Sequence, residues 1–187
     1  MPLVTLIGYR GTGKSTVAAD LARLLSCSWR DADVVLEERL GRSIAAVVRE
    51  RGEAFFRDEE SAVLEGLLGF PGVVATGGGV VLRPANRRLL ESRGRPVVWL
   101  TAPAAVIRRR LAVDPSTAER RPALSGSDPL AEVDAALVER EPLYEECADV
   151  SFDTSVMTAG SVARRIAEWL ASEWPAARER LTEGPSS

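Results

Sequence analysis

Short apolar runs alternate along the chain with longer stretches in which apolar residues recur every three or four positions. Runs of this length are typical of strands, and the longer stretches have the period of amphipathic helices. The run at 73–76 is nearly all apolar, as expected for a strand covered on both faces at the centre of a parallel sheet. Strands are predicted at residues 3–7, 27–30, 73–76, 96–101 and 149–153.

Helices are predicted between these strands, at residues 17–25, 34–40, 44–51, 53–68, 84–94, 103–111, 129–147 and 158–169. Gly41 and Gly52 follow helical stretches as C-caps, Ser43 can cap the helix after it, and Pro142 is expected to interrupt its helix. The alternation favours an α/β fold with three layers, in which helices cover both faces of a central five-stranded parallel sheet. Ligands are then expected at the carboxyl ends of the strands.

Residues 114–128 have no clear hydrophobic period and combine proline and glycine with polar side chains. Irregular segments of this length inside a compact domain are commonly functional, often as lids. We therefore predict a mobile lid at about residues 112–128 and a frayed tail at 183–187. At 187 residues the chain has the length of one domain, so residues 1–187 are expected to form a single unit.

The first predicted strand leads into Gly8-Tyr9-Arg10-Gly11-Thr12-Gly13-Lys14-Ser15-Thr16, which satisfies G-x-x-x-x-G-K-[ST]. In this P-loop pattern, backbone N–H groups surround a polyphosphate, the lysine contacts the outer phosphates and the serine hydroxyl contacts Mg²⁺. The helix after the loop points its N-terminus at the phosphates. Nucleotide contacts are therefore expected from Gly11, Thr12, Gly13, Lys14, Ser15 and Thr16, with Lys14 catalytic and Ser15 also a metal ligand.

Two other interpretations of this loop are a glycine-rich turn without a ligand and a dinucleotide-binding turn. The second fails because Lys14-Ser15-Thr16 occupies the place of the third glycine in G-x-G-x-x-G. Lys14 is also the only lysine in the chain, and every other basic side chain is arginine. The single compact ammonium thus lies where phosphate oxygens are expected, which argues against an empty turn.

Composition excludes several other classes of protein. A hydrophobic fraction of 45% is ordinary for a globular domain, and a net charge of −3 leaves no basic excess for a nucleic-acid backbone. No apolar run approaches the length of a membrane span and no secretory leader precedes the first strand, so we expect a cytoplasmic protein that does not bind membranes. Cys27 and Cys147 lack metal-binding spacing and are expected to be reduced, half-buried thiols. Histidine is absent, which leaves carboxylates for proton transfer.

Two further segments follow predicted strands and should meet the P-loop in one cleft. Asp31 could hold Mg²⁺ through water, and Asp33 could orient an acceptor hydroxyl and take its proton. The alternative is that these carboxylates are solvated or cap a helix. Gly77-Gly78-Gly79 could bring backbone N–H groups against an anion or a hydroxyl, because glycine permits close approach and positive φ. Its alternative is an ordinary sharp turn.

The P-loop predicts nucleotide binding but does not identify the molecule that accepts a phosphate. GTP-binding switch proteins read guanine with Asn-Lys-x-Asp, which a chain with one lysine in its P-loop cannot contain. Large motor and transporter ATPases need a longer chain. A small kinase with a lid is the remaining class.

In order, the motifs of this chain resemble those of the shikimate kinases, within the wider nucleoside-monophosphate-kinase group of P-loop folds. The resemblance spans most of the chain, and the later motifs together are far more specific than the P-loop alone. The matching stretches are 8–16, Asp31-Ala32-Asp33, Gly52-Glu53-Ala54-Phe55-Phe56-Arg57-Asp58-Glu59-Glu60, Thr76-Gly77-Gly78-Gly79, Arg121-Pro122 and Arg140-Glu141-Pro142-Leu143-Tyr144.

The resemblance implies Mg²⁺-dependent transfer of the ATP γ-phosphoryl group to the 3-hydroxyl of shikimate, a step of aromatic amino-acid biosynthesis. By position, Asp33 would bind the shikimate hydroxyls and act as the base, and Gly78 and Gly79 would offer backbone contacts. Arg57, held by Glu60, would clamp the carboxylate together with Arg140. Planar carboxylates suit guanidinium donors in this way.

The same resemblance implies that Arg121 on the lid would fold over the phosphates and stabilise charge in the transition state. It also suggests a monomer, with substrate-binding helices at about residues 33–60. Val48 and Ala123 depart from the larger apolar side chains expected there, and residues 155–158 do not reproduce the family's adenine-contacting stretch. Arg110 is a candidate for stacking on adenine, its alternative being an exposed arginine.

Two other functions stay open from the sequence. A kinase for another small hydroxy acid such as gluconate would share the P-loop and the lid, but would not need the G-G-G and R-x-P-L-Y motifs. A nucleotide-binding module without catalysis would have no reason to keep Asp33, Arg57 and Arg140 together.

Overall fold

Five parallel strands form one sheet in the computed structural model, which describes residues 1–113 and 132–175. The strands are β1 (Val4–Ile7), β2 (Trp29–Asp31), β3 (Val73–Ala75), β4 (Val97–Thr101) and β5 (Val150–Asp153). Their order across the sheet is β2-β3-β1-β4-β5. In register, Leu6 of β1 is opposite Ala75 on one side and Val98 on the other. The predicted five-stranded parallel sheet is confirmed.

Helices connect these strands, and several of their ends lie at the caps predicted from the sequence. They are α1 (Lys14–Leu24), α2 (Ala32–Leu40), α3 (Ile44–Leu67), α4 (Pro84–Leu89), α5 (Ala104–Val113), α6 (Glu132–Cys147) and α7 (Ala159–Glu173), with a short 3₁₀ turn at Val80–Leu82 and a π turn at Leu90–Gly94. The Ser43 hydroxyl accepts a hydrogen bond from the Ala46 N–H at 3.3 Å. A non-helical backbone at Gly52 divides α3 where the sequence predicts two helices.

Alternate residues of the strands bury opposite faces of the sheet. Leu6 packs in a cluster with α1 and α7, whereas its neighbour Ile7 packs in a second cluster with α5 and α6. A third cluster joins α2 and α3 to Val74 of β3. Both faces of the sheet are therefore covered, as the nearly continuous apolar strands require.

The predicted interruption of the helix near Pro142 is wrong, since α6 runs through this proline. A proline removes one backbone N–H from a helix and normally breaks or bends it. Here both halves of α6 are held by side chains buried in the same cluster. These are Val133, Ala136 and Leu137 before the proline, and Tyr144 and Cys147 after it. Tertiary packing thus outweighs the local preference.

Part of the sequence prediction lies outside the described residues. The expected lid at 112–128 falls almost wholly there, as do Arg121, Ala123 and the tail at 183–187. None of the helices in the described ranges is both long enough and apolar enough to cross a bilayer.

Both cysteines are free thiols, as predicted, and Cys27 is half-buried. The expectation of a half-buried Cys147 is wrong, since this residue is buried in the cluster that contains α5 and α6. Burial, with a smaller effect of the Glu146 carboxylate, raises the pKa of the Cys147 thiol to about 11. Burial also raises the pKa of Cys27. Only thiolates react quickly with disulfides, and at pH 8 a thiol with this pKa is about one part in a thousand ionised.

We therefore expect native protein to react slowly with an aromatic disulfide reagent at pH 8, with Cys27 modified before Cys147. The Cys27→Ser variant should show no rapid thiol release until it is unfolded in denaturant. Fast reaction of the remaining thiol in folded Cys27→Ser would contradict the buried position of Cys147.

Candidate active site

The P-loop joins the end of β1 to α1 and has the backbone that its glycines allow. Gly8, Gly11 and Gly13 all have positive φ, at 141°, 79° and 90°. L-residues with side chains rarely adopt such values, so this loop shape depends on glycine. The helix begins at Lys14, three residues earlier than predicted, so that Lys14 and Ser15 form its first turn. The free N–H groups of this turn point toward the loop, where an anion binds favourably.

The Lys14 side chain folds back over the loop and is only 8% exposed. Its Nζ donates to the carbonyl oxygens of Gly8 at 2.8 Å and of Tyr9 at 3.0 Å. The Thr12 hydroxyl donates to the same Tyr9 carbonyl at 2.7 Å. The single lysine ammonium of the chain is thus held inside the loop, where the outer phosphates of a nucleotide would lie.

Asp31 links the second strand to the P-loop. Its carboxylate accepts a hydrogen bond from the Ser15 hydroxyl through Oδ2, and from the Asp33 N–H at 2.9 Å through Oδ1. Asp31 is therefore the N-cap of α2, as the alternative interpretation held, and it also contacts the nucleotide loop. Asp33 lies in the first turn of α2, so β2 ends before it and the side chain comes from a helix.

The Gly77-Gly78-Gly79 turn uses glycine because neighbouring groups approach its backbone closely, and not because its backbone has positive φ. None of the three is among the positive-φ residues of the chain, which corrects that part of the prediction. A Cβ on Gly79 would lie 2.0 Å from Nη1 of Arg57, and one on Gly78 would lie 3.0 Å from the Arg10 backbone nitrogen. The turn therefore contacts both the P-loop and an arginine of α3; a side chain at Gly79 would overlap the Arg57 guanidinium, and one at Gly78 would crowd the P-loop backbone.

Arg57 is buried on α3 and held by two carboxylates. Its Nη1 donates to Glu60 Oε2 at 2.7 Å, while Nε and Nη2 donate to Glu53 Oε1 at 3.2 and 3.0 Å. Glu60 is 4% exposed, so this pair is shielded from water, whereas the Glu53 side chain is 49% exposed. The predicted support by Glu60 is present, and Glu53 is an additional partner.

Arg140 reaches the same turn from α6. Its Nη1 donates to the Gly78 carbonyl oxygen at 3.4 Å, and its guanidinium carbon lies 5.4 Å from the centre of the Tyr9 ring. The buried Nε donates no hydrogen bond to any described residue, although a carboxylate oxygen of exposed Glu139 lies 3.9 Å away. Arg140 therefore has a buried donor beside the Gly78–Gly79 turn from which no described residue accepts a hydrogen bond.

Arg110 lies between the P-loop and the end of β5. Its Nη1 donates to the Gly11 carbonyl at 3.1 Å and to the Thr154 hydroxyl at 3.0 Å, and its Nη2 donates to the Thr154 carbonyl at 2.6 Å. It is half-buried, so the alternative of an exposed arginine is wrong. Its suggested stacking on adenine stays a prediction.

Direct contacts thus join Ser15 to Asp31, Arg57 to Gly79 and Arg140 to Gly78. The turn at Gly78 also lies against the P-loop that holds Lys14, and Asp33 is two residues beyond Asp31. Val48 is half-buried and packs against the cluster of α2 and α3. The sequence prediction missed the contacts of Tyr9 and Glu53. Glu53 precedes Arg57 by four residues on a helix, a spacing that favours an ion pair and could have identified it. Nothing local in the sequence signals that the Tyr9 ring contacts Arg140.

Gly79→Ala is expected to raise the KM for the anionic substrate about tenfold or more, because its methyl group would displace the Arg57 guanidinium from Glu60. The KM for the nucleotide should change little. Steady-state kinetics against each substrate measures both effects.

Gly66→Ala is a matched control, since a Cβ at Gly66 of α3 meets nothing within 4 Å. This variant should keep both KM values and gain about 0.5–1 kcal/mol of stability. Equal behaviour of the two variants would show that the close contact with Arg57 does not matter.

The sequence and the fold of this chain are similar to those of known proteins. The family model for shikimate kinase matches residues 10–171. A shikimate kinase from Halorhodospira halophila is 47% identical over 168 residues, which cover 89% of this chain and 92% of that protein. One from Syntrophus aciditrophicus is 42% identical over 172 residues, covering 87% and 88% of the two chains.

A solved structure gives the same result. The shikimate kinase from Acinetobacter baumannii, in complex with shikimate, matches this fold with a TM-score of 0.84 at 32% identity. The match covers 91% of this chain and 93% of that chain. With relatives above 40% identity over most of their length and a matching family model, the chain belongs to the shikimate kinase family.

Proposed function

We propose that this chain transfers the γ-phosphoryl group of ATP to the 3-hydroxyl of shikimate, giving shikimate 3-phosphate and ADP. The observation that carries the proposal is that Arg57 and Arg140 both lie against the Gly78–Gly79 turn, which itself contacts the nucleotide loop. Two guanidinium groups suit a carboxylate, and the nearby P-loop suits a polyphosphate. The cleft therefore has one place for an anionic acceptor beside one place for a phosphate donor.

Arg57 is prepared for this role by its two carboxylate partners, which fix the guanidinium before a ligand arrives. Fixing a recognition group in advance lowers the entropy lost on binding. Arg140 contributes from a different element, and its buried Nε is available within the described ranges. We assign carboxylate binding to Arg57 and Arg140, with backbone contacts from Gly78 and Gly79.

The residues around Ser15 fit a magnesium ion. The Ser15 hydroxyl and the Asp31 carboxylate are in contact at the nucleotide loop, and both are the hard oxygen donors that Mg²⁺ prefers. No group of three or more acidic, histidine or cysteine side chains suited to a metal occurs in residues 1–113 and 132–175. A magnesium held by few side chains, together with substrate phosphates and water, is the usual arrangement in kinases. Ser15 would bind it directly and Asp31 through water; bound there, it neutralises phosphate charge.

In the proposed reaction, Asp33 orients the 3-hydroxyl and accepts its proton as the oxygen bonds to the γ-phosphorus. The bond from that phosphorus to the oxygen shared with the β-phosphate breaks, and ADP leaves with the electron pair. Lys14 stabilises the charge that develops on the outer phosphates. From the resemblance, Arg121 adds to this stabilisation, and Arg110 contacts the adenine.

A coupled assay of ADP release over a panel of hydroxy acids tests the proposal. We expect turnover that depends on both Mg²⁺ and shikimate, with little turnover on gluconate. Preference for gluconate would favour the alternative kinase, and the absence of turnover on every acid would favour the non-catalytic module. Size-exclusion chromatography with light scattering tests the further expectation of a monomer of 20.1 kDa.

A further inference from the structure

Tyr144 is the largest side chain that is fully buried in the described part of the protein, and its hydroxyl donates a hydrogen bond to the Gly78 carbonyl. It lies on α6 one turn after Arg140, which donates to the same oxygen. The ring stacks on Trp99 of β4, with centroids 5.8 Å apart and planes 25° apart. A rigid aromatic ring therefore holds one donor against one peptide group of the glycine turn.

The Gly78 carbonyl belongs to the same planar unit as the Gly79 N–H. In a trans peptide the two groups point in opposite directions, so fixing the carbonyl also fixes the N–H. Gly79 is buried, and no acceptor among residues 1–113 and 132–175 takes a hydrogen bond from its N–H. Buried N–H groups without a protein partner are rare and are commonly satisfied by a ligand or water.

Gly79 also lies against the guanidinium of Arg57, since a Cβ there would be 2.0 Å from Nη1. An anion bound by Arg57 is thus near the Gly79 N–H. We infer that Tyr144 is a positioning residue, whose hydroxyl orients the Gly78–Gly79 peptide so that the Gly79 N–H faces the acceptor substrate. This inference rests on the proposed function and gives the tyrosine of the R-x-P-L-Y motif a role in acceptor binding.

The Tyr144 hydroxyl is protonated, and so can donate a hydrogen bond, at neutral pH. Burial raises the pKa of Tyr144 well above its ordinary value, and the smaller opposing effect of Arg140 does not offset it. The group therefore keeps its proton and stays a donor. Phenylalanine at this position keeps the ring and its stacking on Trp99 but cannot donate.

The experiment compares wild type with Tyr144→Phe, with 4-aminophenylalanine incorporated at position 144, and with Trp99→Phe as a packing control. We expect Tyr144→Phe to raise the KM for shikimate about five- to tenfold, with the KM for ATP unchanged within about twofold. The 4-amino group can donate to the Gly78 carbonyl and should restore the KM for shikimate. Trp99→Phe alters the stacking but removes no donor to the Gly78 carbonyl, and should leave this KM within about twofold of wild type.

Three results would overturn the inference. One is an unchanged KM for shikimate in Tyr144→Phe. Another is an equal rise in both KM values that Trp99→Phe reproduces, because that would indicate loose packing. The third is failure of the 4-amino side chain to restore binding in a variant with wild-type Tm. Inactive wild type would overturn the proposed function itself, whereas active wild type with any of these results overturns only the role of Tyr144.

Discussion

Asp33→Asn is expected to lower kcat for shikimate phosphorylation by about 10²–10⁴-fold, the range for loss of a general base. The amide has nearly the size of the carboxylate but cannot accept the proton of the 3-hydroxyl. The fold should survive, because the N-cap bond of α2 runs from the backbone N–H of residue 33 to Asp31 and does not use the substituted side chain. Coupled assays at saturating ATP and shikimate measure kcat.

Glu38→Gln is the matched control for this loss. Glu38 lies on the same helix and is exposed, so removal of its charge should leave kcat within about twofold of wild type. If both Asp33→Asn and Glu38→Gln kept near-normal kcat, the assignment of Asp33 as the base would be wrong. A loss of kcat in both variants would indicate a general effect of charge near α2.

Lys14→Met is expected to lower kcat by about 10²–10³-fold or more, as for loss of one charge-stabilising donor in a transition state. The methionine stem can occupy the space of the lysine, but no positive charge remains at the outer phosphates. Lys14→Arg is expected to fail as well. The ammonium fits between the Gly8 and Tyr9 carbonyls at 2.8 and 3.0 Å, and a planar guanidinium is a different shape.

Single-turnover measurements with saturating ATP separate this loss from weaker nucleotide binding. Arg164→Met removes an exposed positive charge on α7 and should keep wild-type kcat. Turnover by Lys14→Met within about tenfold of wild type would show that the P-loop lysine is not needed for phosphoryl transfer.

The sequence predicts most of the fold because its strongest signals are local. Strands that are apolar on both faces, such as β3, and caps such as Ser43 and Gly41 are determined by a few adjacent residues. The prediction of a helix break near Pro142 is wrong because the local preference of proline is opposed by the burial of side chains on both sides of it in the same cluster. The predicted start of α1 is too late because its first turn carries the polar residues of the nucleotide loop.

The site is predicted less completely because its geometry depends on contacts between distant segments. Motifs identify Arg57, Arg140 and the glycine turn, yet they do not say why the turn needs glycine. The reason is the guanidinium of Arg57, which lies 22 positions earlier than Gly79 and occupies the space of a side chain. Likewise, a tyrosine in a motif gives no sign that its hydroxyl holds a carbonyl 66 positions away.

The single lysine of the chain also determines where a lysine-specific endoproteinase can cut the protein. An endoproteinase specific for lysine has one cleavage site in all 187 residues, after Lys14, within the first turn of α1. That side chain is 8% exposed and its peptide is helical, so cleavage requires local opening of the nucleotide loop. A single cut into fragments 1–14 and 15–187 therefore reports how often this loop opens, and bound nucleotide slows it by mass action.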